Sequence, residues 1–207
     1  ARLSKNSAAS YHRFGRFIRP AFARFDWVGC QDQEVLERFE MCGARPDRLT
    51  VTGAIKFDNA PDSRETIDVM KLVNWSGIDP WHRVWVVGST QEGEEAMAIA
   101  IYQRLRKLQP ELRLVIVPRH TERFERVCDL IEQSGLQPHR RSCDGSLYEK
   151  SWTADRVILV DTIGELRNWW GVGQIATVGG SFGDRGGQNM LEPAGYGSAV
   201  SFGPNTK

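Results

Sequence analysis

The stretch Ile175-Ala-Thr-Val-Gly-Gly-Ser-Phe-Gly-Asp-Arg-Gly-Gly-Gln-Asn-Met-Leu-Glu-Pro193 decides the fold. A short apolar strand, Ile175 to Val178, runs into Gly179 and Gly180. The chain then crosses a second glycine pair, Gly186 and Gly187, and enters a predicted helix carrying Asn189 and Glu192. Glycine lets backbone approach a ligand closely or turn at positive φ, and a helix N-terminus offers free N–H groups to an anion. The glycines alone also suit a turn in any α/β domain. The polar pair adds more, because residues three apart share a helix face. A carboxylate at the mouth of the loop is placed to accept both hydroxyls of a ribose while backbone amides receive phosphate. The stretch reads as half of a sugar-nucleotide site.

The same grammar extends outward. Apolar runs at Val84 to Val87, Leu114 to Val117 and Val157 to Val160 precede this strand, and Ala199 to Phe202 follows it. Helical patterns lie between them. Met97, Ile101, Leu105 and Leu108 form one stripe; Phe124, Val127, Cys128 and Ile131 form another, stopped by Gly135. Strand alternating with helix predicts a mainly parallel sheet covered on both faces, an α/β fold. From Asn59 to Pro80 the pattern weakens around a short helix at Ile67 to Val73, so residues 59–80 read as a linker between domains at 1–58 and 81–207. In the first of these, Phe25 to Cys30 and Leu49 to Thr52 read as strands. They flank a helix that runs from the N-cap Asp32 to Cys42 and is closed by Gly43. Residues 6–24 read as a basic, aromatic helix interrupted at Pro20.

In such sheets ligands sit outside the carboxyl ends of the strands, so the residues leaving each strand are the ones to inspect. After Val87 come Gly88, Ser89, Thr90, Gln91 and Glu92; Ser89 and Glu92 fit a capping box and equally a ligand contact. After Val117 come Pro118, which fixes the exit, and Arg119, a planar fork suited to phosphate or carboxylate; His120 caps the next helix or joins the site. After Val160 come Asp161, Thr162, Ile163, Gly164 and Glu165, a turn that can aim the last three amides at an anion.

Bulk properties narrow the class. In 207 residues, 27 basic and 26 acidic side chains give no reason to expect nucleic acid. Basic residues nevertheless crowd the start (Arg2, Lys5, His12, Arg13, Arg16, Arg19, Arg24) with no Asp or Glu among the first 24, either a solvated helix face or a surface lying near anionic headgroups. Cys30, Cys42, Cys128 and Cys143 form no CxxC pair and no metal spacing with histidine, as for reduced thiols of a cytosolic protein. No window approaches the roughly 20 apolar residues of a membrane span. With no initiator Met, and with Lys207 closely following a strand, the chain is expected to be a piece of something longer.

The ordered series Gly53-Ala-Ile-Lys-Phe-Asp58, Gly88-Ser-Thr-Gln-Glu-Gly93, Val117-Pro-Arg-His120, Arg140-Arg-Ser142, Asp161-Thr-Ile-Gly-Glu-Leu166, Val178-Gly-Gly-Ser181, Gly187-Gln-Asn-Met-Leu-Glu-Pro193 and Phe202-Gly-Pro204 resembles the 3-deoxy-D-manno-octulosonic acid (Kdo) transferase family along essentially the whole chain. The resemblance implies a GT-B glycosyltransferase with two Rossmann-like domains. It would move Kdo from CMP-Kdo to a lipid A precursor, lipid IVA, at the cytoplasmic face of the inner membrane, with no cofactor and no metal. Residues 1–58 would end the acceptor-side domain, and 81–207 would be most of the donor-side domain. The membrane anchor and the catalytic carboxylate base would lie upstream of Ala1, and the closing helices after Lys207. No catalytic residue is then expected within the chain. Carried over by position, the CMP-binding residues are Pro118, Arg119, Ile163, Gly164, Glu165, Asn189, Met190, Leu191 and Glu192. Ser89 and Ser181 join them on geometric grounds. Ala54, Ile163 and Asn205 depart from the commoner Asn, Met and His. A nucleotide-binding module without turnover, and a relative using a uridine or adenosine donor, are the alternative readings.

Overall fold

The computed structural model describes residues 1–53, 61, 63–143, 153, 155–183 and 186–206. Their contacts form two compact units, Ala1–Asn59 and Ala60–Lys207.

In the first unit α1 (Lys5–Arg13) and α2 (Gly15–Phe22) precede two parallel strands, β1 (Val28–Cys30) and β2 (Leu49–Val51), joined through α3 (Gln33–Met41). Asp32 caps α3 as its position predicts: Oδ1 accepts the Val35 amide at 2.8 Å, and Gly43 turns the chain away at φ +104°. Val35 and Phe39 then pack with Val28, Cys30 and Leu49 in a small core completed by Leu3 and Ala8 of the N-terminal segment. The expected single helix over 6–24 is two helices, and the break falls at Phe14 rather than at Pro20. Pro20 lies in the last turns of a helix of 8 residues, where the missing amide removes one bond. Gly15, itself a poor helix former, marks the start of α2.

The second unit is a six-stranded sheet in the order β5-β6-β4-β3-β7-β8, every pair parallel. The strands are β3 (Arg83–Thr90), β4 (Leu112–Pro118), β5 (Gln137–Arg140), β6 (Arg156–Leu159), β7 (Ile175–Val178) and β8 (Ala199–Phe202). Because side chains alternate across a strand, Val84 and Val86 enter one core with Val115, Ile158, Trp169 and Trp170, while Trp85 and Val87 enter another with Leu114, Ile116, Tyr102 and Ile131. α4 (Ile67–Ser76) and α7 (Leu166–Val172) supply side chains to the first core, and α8 (Leu191–Gly195) leads into its Tyr196. α5 (Glu94–Leu105) and α6 (Phe124–Gln133) cover the second.

Three elements differ from the expected pattern, each for a physical reason. β5 has no apolar run to announce it; Gln137-Pro-His-Arg140 becomes a strand by pairing with β6 at the sheet edge, where Pro138 is tolerated. α5 carries two candidate faces, and the sheet takes Glu95, Ala98, Ile99 and Tyr102, leaving the expected stripe of Met97, Ile101 and Leu105 at 46%, 39% and 40% exposure. Leu108 lies past the end of that helix. Of the stretch 59–80, residues 67–76 form a full helix that buries Val69 and Leu72 in the sheet core and ends on Gly77 at φ +61°. Trp169 and Trp170 fill that core under Gly88, where a Cβ would stand 2.5 Å from the Trp170 ring. Among the described residues the buried Trp169 Nε1 has no acceptor. That costs about 1–3 kcal/mol, less than the roughly 4–6 kcal/mol from burying 150–250 Å² of indole.

Arg64 fastens the start of this unit. Its Nε donates to Tyr196 O at 2.7 Å, Nη1 to Gly171 O at 3.1 Å, and Nη2 to Gly173 O at 2.8 Å and Ser198 Oγ at 3.1 Å, closing the C-terminal ends of both α7 and α8. Replacing it with Met removes one donor from each of three carbonyls, and is expected to lower unfolding stability by about 3 kcal/mol, with Arg64→Lys recovering part. Urea unfolding followed by tryptophan fluorescence measures this; an unchanged midpoint would remove Arg64 from the stabilising set.

Candidate functional site

From β3 the chain moves to β4 on one side, and later from β7 to β8 on the other. The carboxyl ends of β3 and β7 therefore border the switch in direction, where the turns diverge and leave a crevice. Beside it lies a cavity of about 170 Å³ walled by Ser89 from the end of β3, Val117, Pro118 and Arg119 from β4, and Thr162, Ile163, Gly164 and Leu166 beyond β6, with Thr121 and Phe124 completing it. Ser89, Pro118, Arg119, Ile163 and Gly164, picked from separate stretches of sequence, thus line one cavity.

Local geometry explains each position. The β3–β4 register slips between Gly88 and Thr90, so Ser89 is a bulge residue; at φ +56° it alone among the described non-glycine residues is left-handed. A bulge re-aims a side chain, and strain of about 1–3 kcal/mol persists only where the surroundings enforce it. The expected capping box is absent: α5 starts at Glu94 behind Gly93, and Ser89 is too far upstream to cap it. Arg119 is held by its amide, which donates to Thr90 O at 3.1 Å, while its side chain is exposed and among the described residues has no carboxylate partner. His120 precedes a 3₁₀ turn without capping it through its ring.

The β6 turn is built by charge pairing. Arg140 Nε donates to Asp161 Oδ2 at 2.7 Å, and Ser142 gives Asp161 its amide at 2.7 Å and its hydroxyl at 2.5 Å. Burial pushes the Asp161 carboxyl up, but these bonds outweigh it and leave the group below its ordinary range. Glu125, and then Asp161, push Arg140 further up. Arg141 forks onto both Glu165 oxygens at 3.0 and 2.9 Å and lies over the Trp75 ring at 4.7 Å. Thr162 Oγ1 donates to the same carboxylate at 2.5 Å. With the Glu165 carboxylate spent on the protein, its remaining ligand group is its amide. Gly164 turns at φ +88°, and Ile163 is 82% exposed. Among the described residues none accepts from the amides of Ile163, Gly164 or Glu165.

The glycine-rich segment is arranged differently from its sequence reading. Asn189 does not share a helix with Glu192; it precedes α8, taking the Leu191 amide on Oδ1 at 3.1 Å and donating Nδ2 to Glu192 Oε1 at 3.3 Å. Asn189 therefore aims the carboxylate, which does not border the cavity; Met190 packs on the sheet core. Ser181 is 1% exposed, donating to Val178 O at 3.0 Å and accepting the Gly203 amide at 2.7 Å, so its hydroxyl serves the loop and leaves none of its surface to a ligand. Asn205 donates to Gly183 O at 3.0 Å and so fastens the same loop. Ala54 lies outside the described residues.

Two buried carboxylates escaped the sequence reading. Glu95, 1% exposed, accepts from Thr90 Oγ1 at 2.8 Å and from Arg123 at 2.9 Å, locking the turn after β4 to the end of β3. Glu94, 8% exposed, takes the amides of Gln91 and Gly180. Their only trace in the sequence is an acidic pair opening a helix just behind a strand-end turn.

A doubly wound parallel sheet with a cavity beside the switch point defines a Rossmann-like α/β domain. The family profile described as 3-deoxy-D-manno-octulosonic-acid transferase (kdotransferase) matches residues 1–59. Two curated 3-deoxy-D-manno-octulosonic acid transferases, from Haemophilus influenzae and Bordetella pertussis, are each 34% identical across 100% of the chain, which spans 47% of their length. The crystal structure of the C-terminal CMP-Kdo binding domain of WaaA from Acinetobacter baumannii matches with a TM-score of 0.59 at 30% identity, over 67% of this chain and 69% of that one. The chain belongs to the Kdo transferase family.

The Asp161 cluster predicts a pH dependence. A carboxylate held below its unfolded value of about 3.9 stabilises the fold fully above that value, and the contribution disappears as pH falls through the folded pKa. Asp161→Asn should cost about 2 kcal/mol at pH 7, and the gap to wild type should narrow below about pH 4. Urea midpoints from pH 7 to pH 3 measure it; a constant gap would show that ionisation of Asp161 is irrelevant.

Proposed function

We propose that this chain carries the donor-nucleotide site of an enzyme transferring Kdo from CMP-Kdo to a lipid A precursor. The reading rests above all on the cavity that joins Ser89, Arg119 and the Ile163–Gly164 turn. Residues 81–207 are then the body of the donor-side domain, with α4 of the preceding stretch packed on it, and residues 1–58 are the end of the acceptor-side domain. Family membership and the match to a CMP-Kdo binding domain support this assignment.

Breaking the bond from sugar to CMP leaves negative charge on one phosphate. A cation without a carboxylate partner and a turn with unengaged amides face where that charge would develop, and groups fixed before the reaction stabilise it without reorganising. Arg119 supplies the cation, the amides of Ile163, Gly164 and Glu165 the dipoles, and Ser89 a hydroxyl from the end of β3. Glu192, aimed by Asn189, takes the ribose hydroxyls. The base that activates the acceptor comes from a part of the enzyme outside this chain.

Acceptor delivery involves the membrane surface. Phe14 and Phe17 on the α1–α2 segment are 61% and 81% exposed, Trp27 is 61% exposed, and Arg13, Arg16 and Arg24 stand among them. An interfacial helix combines these two features: rings for the acyl boundary and cations for anionic headgroups. No described helix is long and apolar enough to cross a membrane.

Titration with CMP by calorimetry is expected to give saturable binding, weakened about tenfold or more in Arg119→Ala, with UMP and ADP competing less well. Equal affinities would remove Arg119 from the site. Cosedimentation with vesicles containing anionic phospholipid is expected for the wild type and is expected to fall with added salt and in Phe17→Glu. Retention of the variant on vesicles would exclude this face.

A further inference from the structure

We propose that Glu94 is a positioning residue of the nucleotide site, a clamp whose carboxylate ties the turn leaving β3 to the glycine-rich loop leaving β7. The inference rests on the donor-site reading above and assigns a role to a residue that touches no part of the cavity holding Arg119.

β3 and β7 are the strands between which the chain reverses direction, so beyond their last ladder contact, the Gly179 amide to Gly88 O at 2.9 Å, the two exits part. Glu94 spans the gap. Its Oε1 and Oε2 lie 2.9 and 3.0 Å from the Gly180 amide, and Oε2 also accepts the Gln91 amide at 2.8 Å. Among the described residues no cation pairs with it, so amide dipoles alone balance its charge. Hydrogen bonds to an ionised acceptor are the stronger kind.

The approach is close enough to dictate sequence. A Cβ on Gly179 would stand 2.5 Å from Glu94 Oε2 and 2.6 Å from Ser89 O. Gly180, at φ +78°, passes the constraint on, because its carbonyl accepts the Gly187 amide at 3.1 Å on the returning limb that leads to Asn189 and Glu192. On the other side Gln91 follows the left-handed Ser89 by two residues. One carboxylate thus sets the spacing between the Ser89 turn and the loop that delivers Glu192. Glutamine has nearly the same shape but is uncharged and replaces one acceptor oxygen with an NH₂, so the Gly180 amide loses one of its two acceptors and the remaining bonds lose their charge assistance.

The test uses the 207-residue chain in wild-type form, as Glu94→Gln, and as Ile131→Val. The last variant trims the buried face of α6 far from either turn and controls for general loss of stability. Amide exchange at Gln91 and Gly180 by NMR, CMP affinity by calorimetry and thermal midpoints are measured on all three. The expected result is faster exchange at Gly180 and CMP binding weaker by roughly tenfold in Glu94→Gln, with neither change in Ile131→Val at a comparable thermal loss. Unchanged CMP affinity in Glu94→Gln, or equal weakening in Ile131→Val, would overturn the positioning role. Wild type that binds no CMP would overturn the nucleotide reading, and unchanged Gly180 exchange would overturn the clamp itself.

Discussion

Six strands running the same way send every exit turn to one edge of the sheet, and the architecture of the second unit follows from that constraint. A parallel sheet buried on both faces must be apolar along its strands, which is why Val84, Val86, Val115, Ile116 and Ile158 are almost wholly enclosed. Polar chemistry is excluded from the faces and collects where the ladder stops. At that edge backbone groups lose their strand partners and must find others. Asp161 meets this need for the Ser142 amide at one exit and Glu94 does so for Gln91 and Gly180 at the two that border the switch, while side-chain bonds of Glu95 with Arg123 and Thr90 brace the exit of β4.

The charges at this edge fall into two sets. Arg123, Arg140 and Arg141 are committed to Glu95, Asp161 with Glu125, and Glu165, and they hold the cavity walls in place. Arg119 stands among them with no such commitment in the described residues. The contrast matters because a cation already paired gains little from an incoming anion. An unpaired one at 4 Å is worth about 1 kcal/mol in water and about 4 kcal/mol where the effective dielectric falls to 20. Closing such a cavity against solvent would therefore raise its hold on a phosphate several-fold in energy without moving any residue within it.

Much of this was legible in the sequence. The five apolar runs, the N-cap at Asp32, the turn at Gly43, and the predicted residues that meet at the cavity follow from rules acting over a few positions. Where those rules misled, a distant partner had intervened. β5 exists because β6 offers it an edge. The Ser89–Glu92 spacing suggested a cap, but the register slip carried Ser89 into a bulge and moved the helix start to Glu94. Ser181 looked available until the turn at Gly203 was folded against it.

Sequence by itself determined the α/β class, the parallel sheet and the set of strand-end residues, since hydrophobic periodicity and glycine placement are local properties written in order along the chain. Tertiary structure alone decided which of two faces α5 buries, that Arg119 has no carboxylate partner among the described residues while Arg123, Arg140 and Arg141 do, and that Glu94 accepts the amide of Gly180, 86 positions away. Those outcomes depend on which groups meet in space after the sheet closes. Pairing of charges and amides across such distances leaves no periodic signal in the chain.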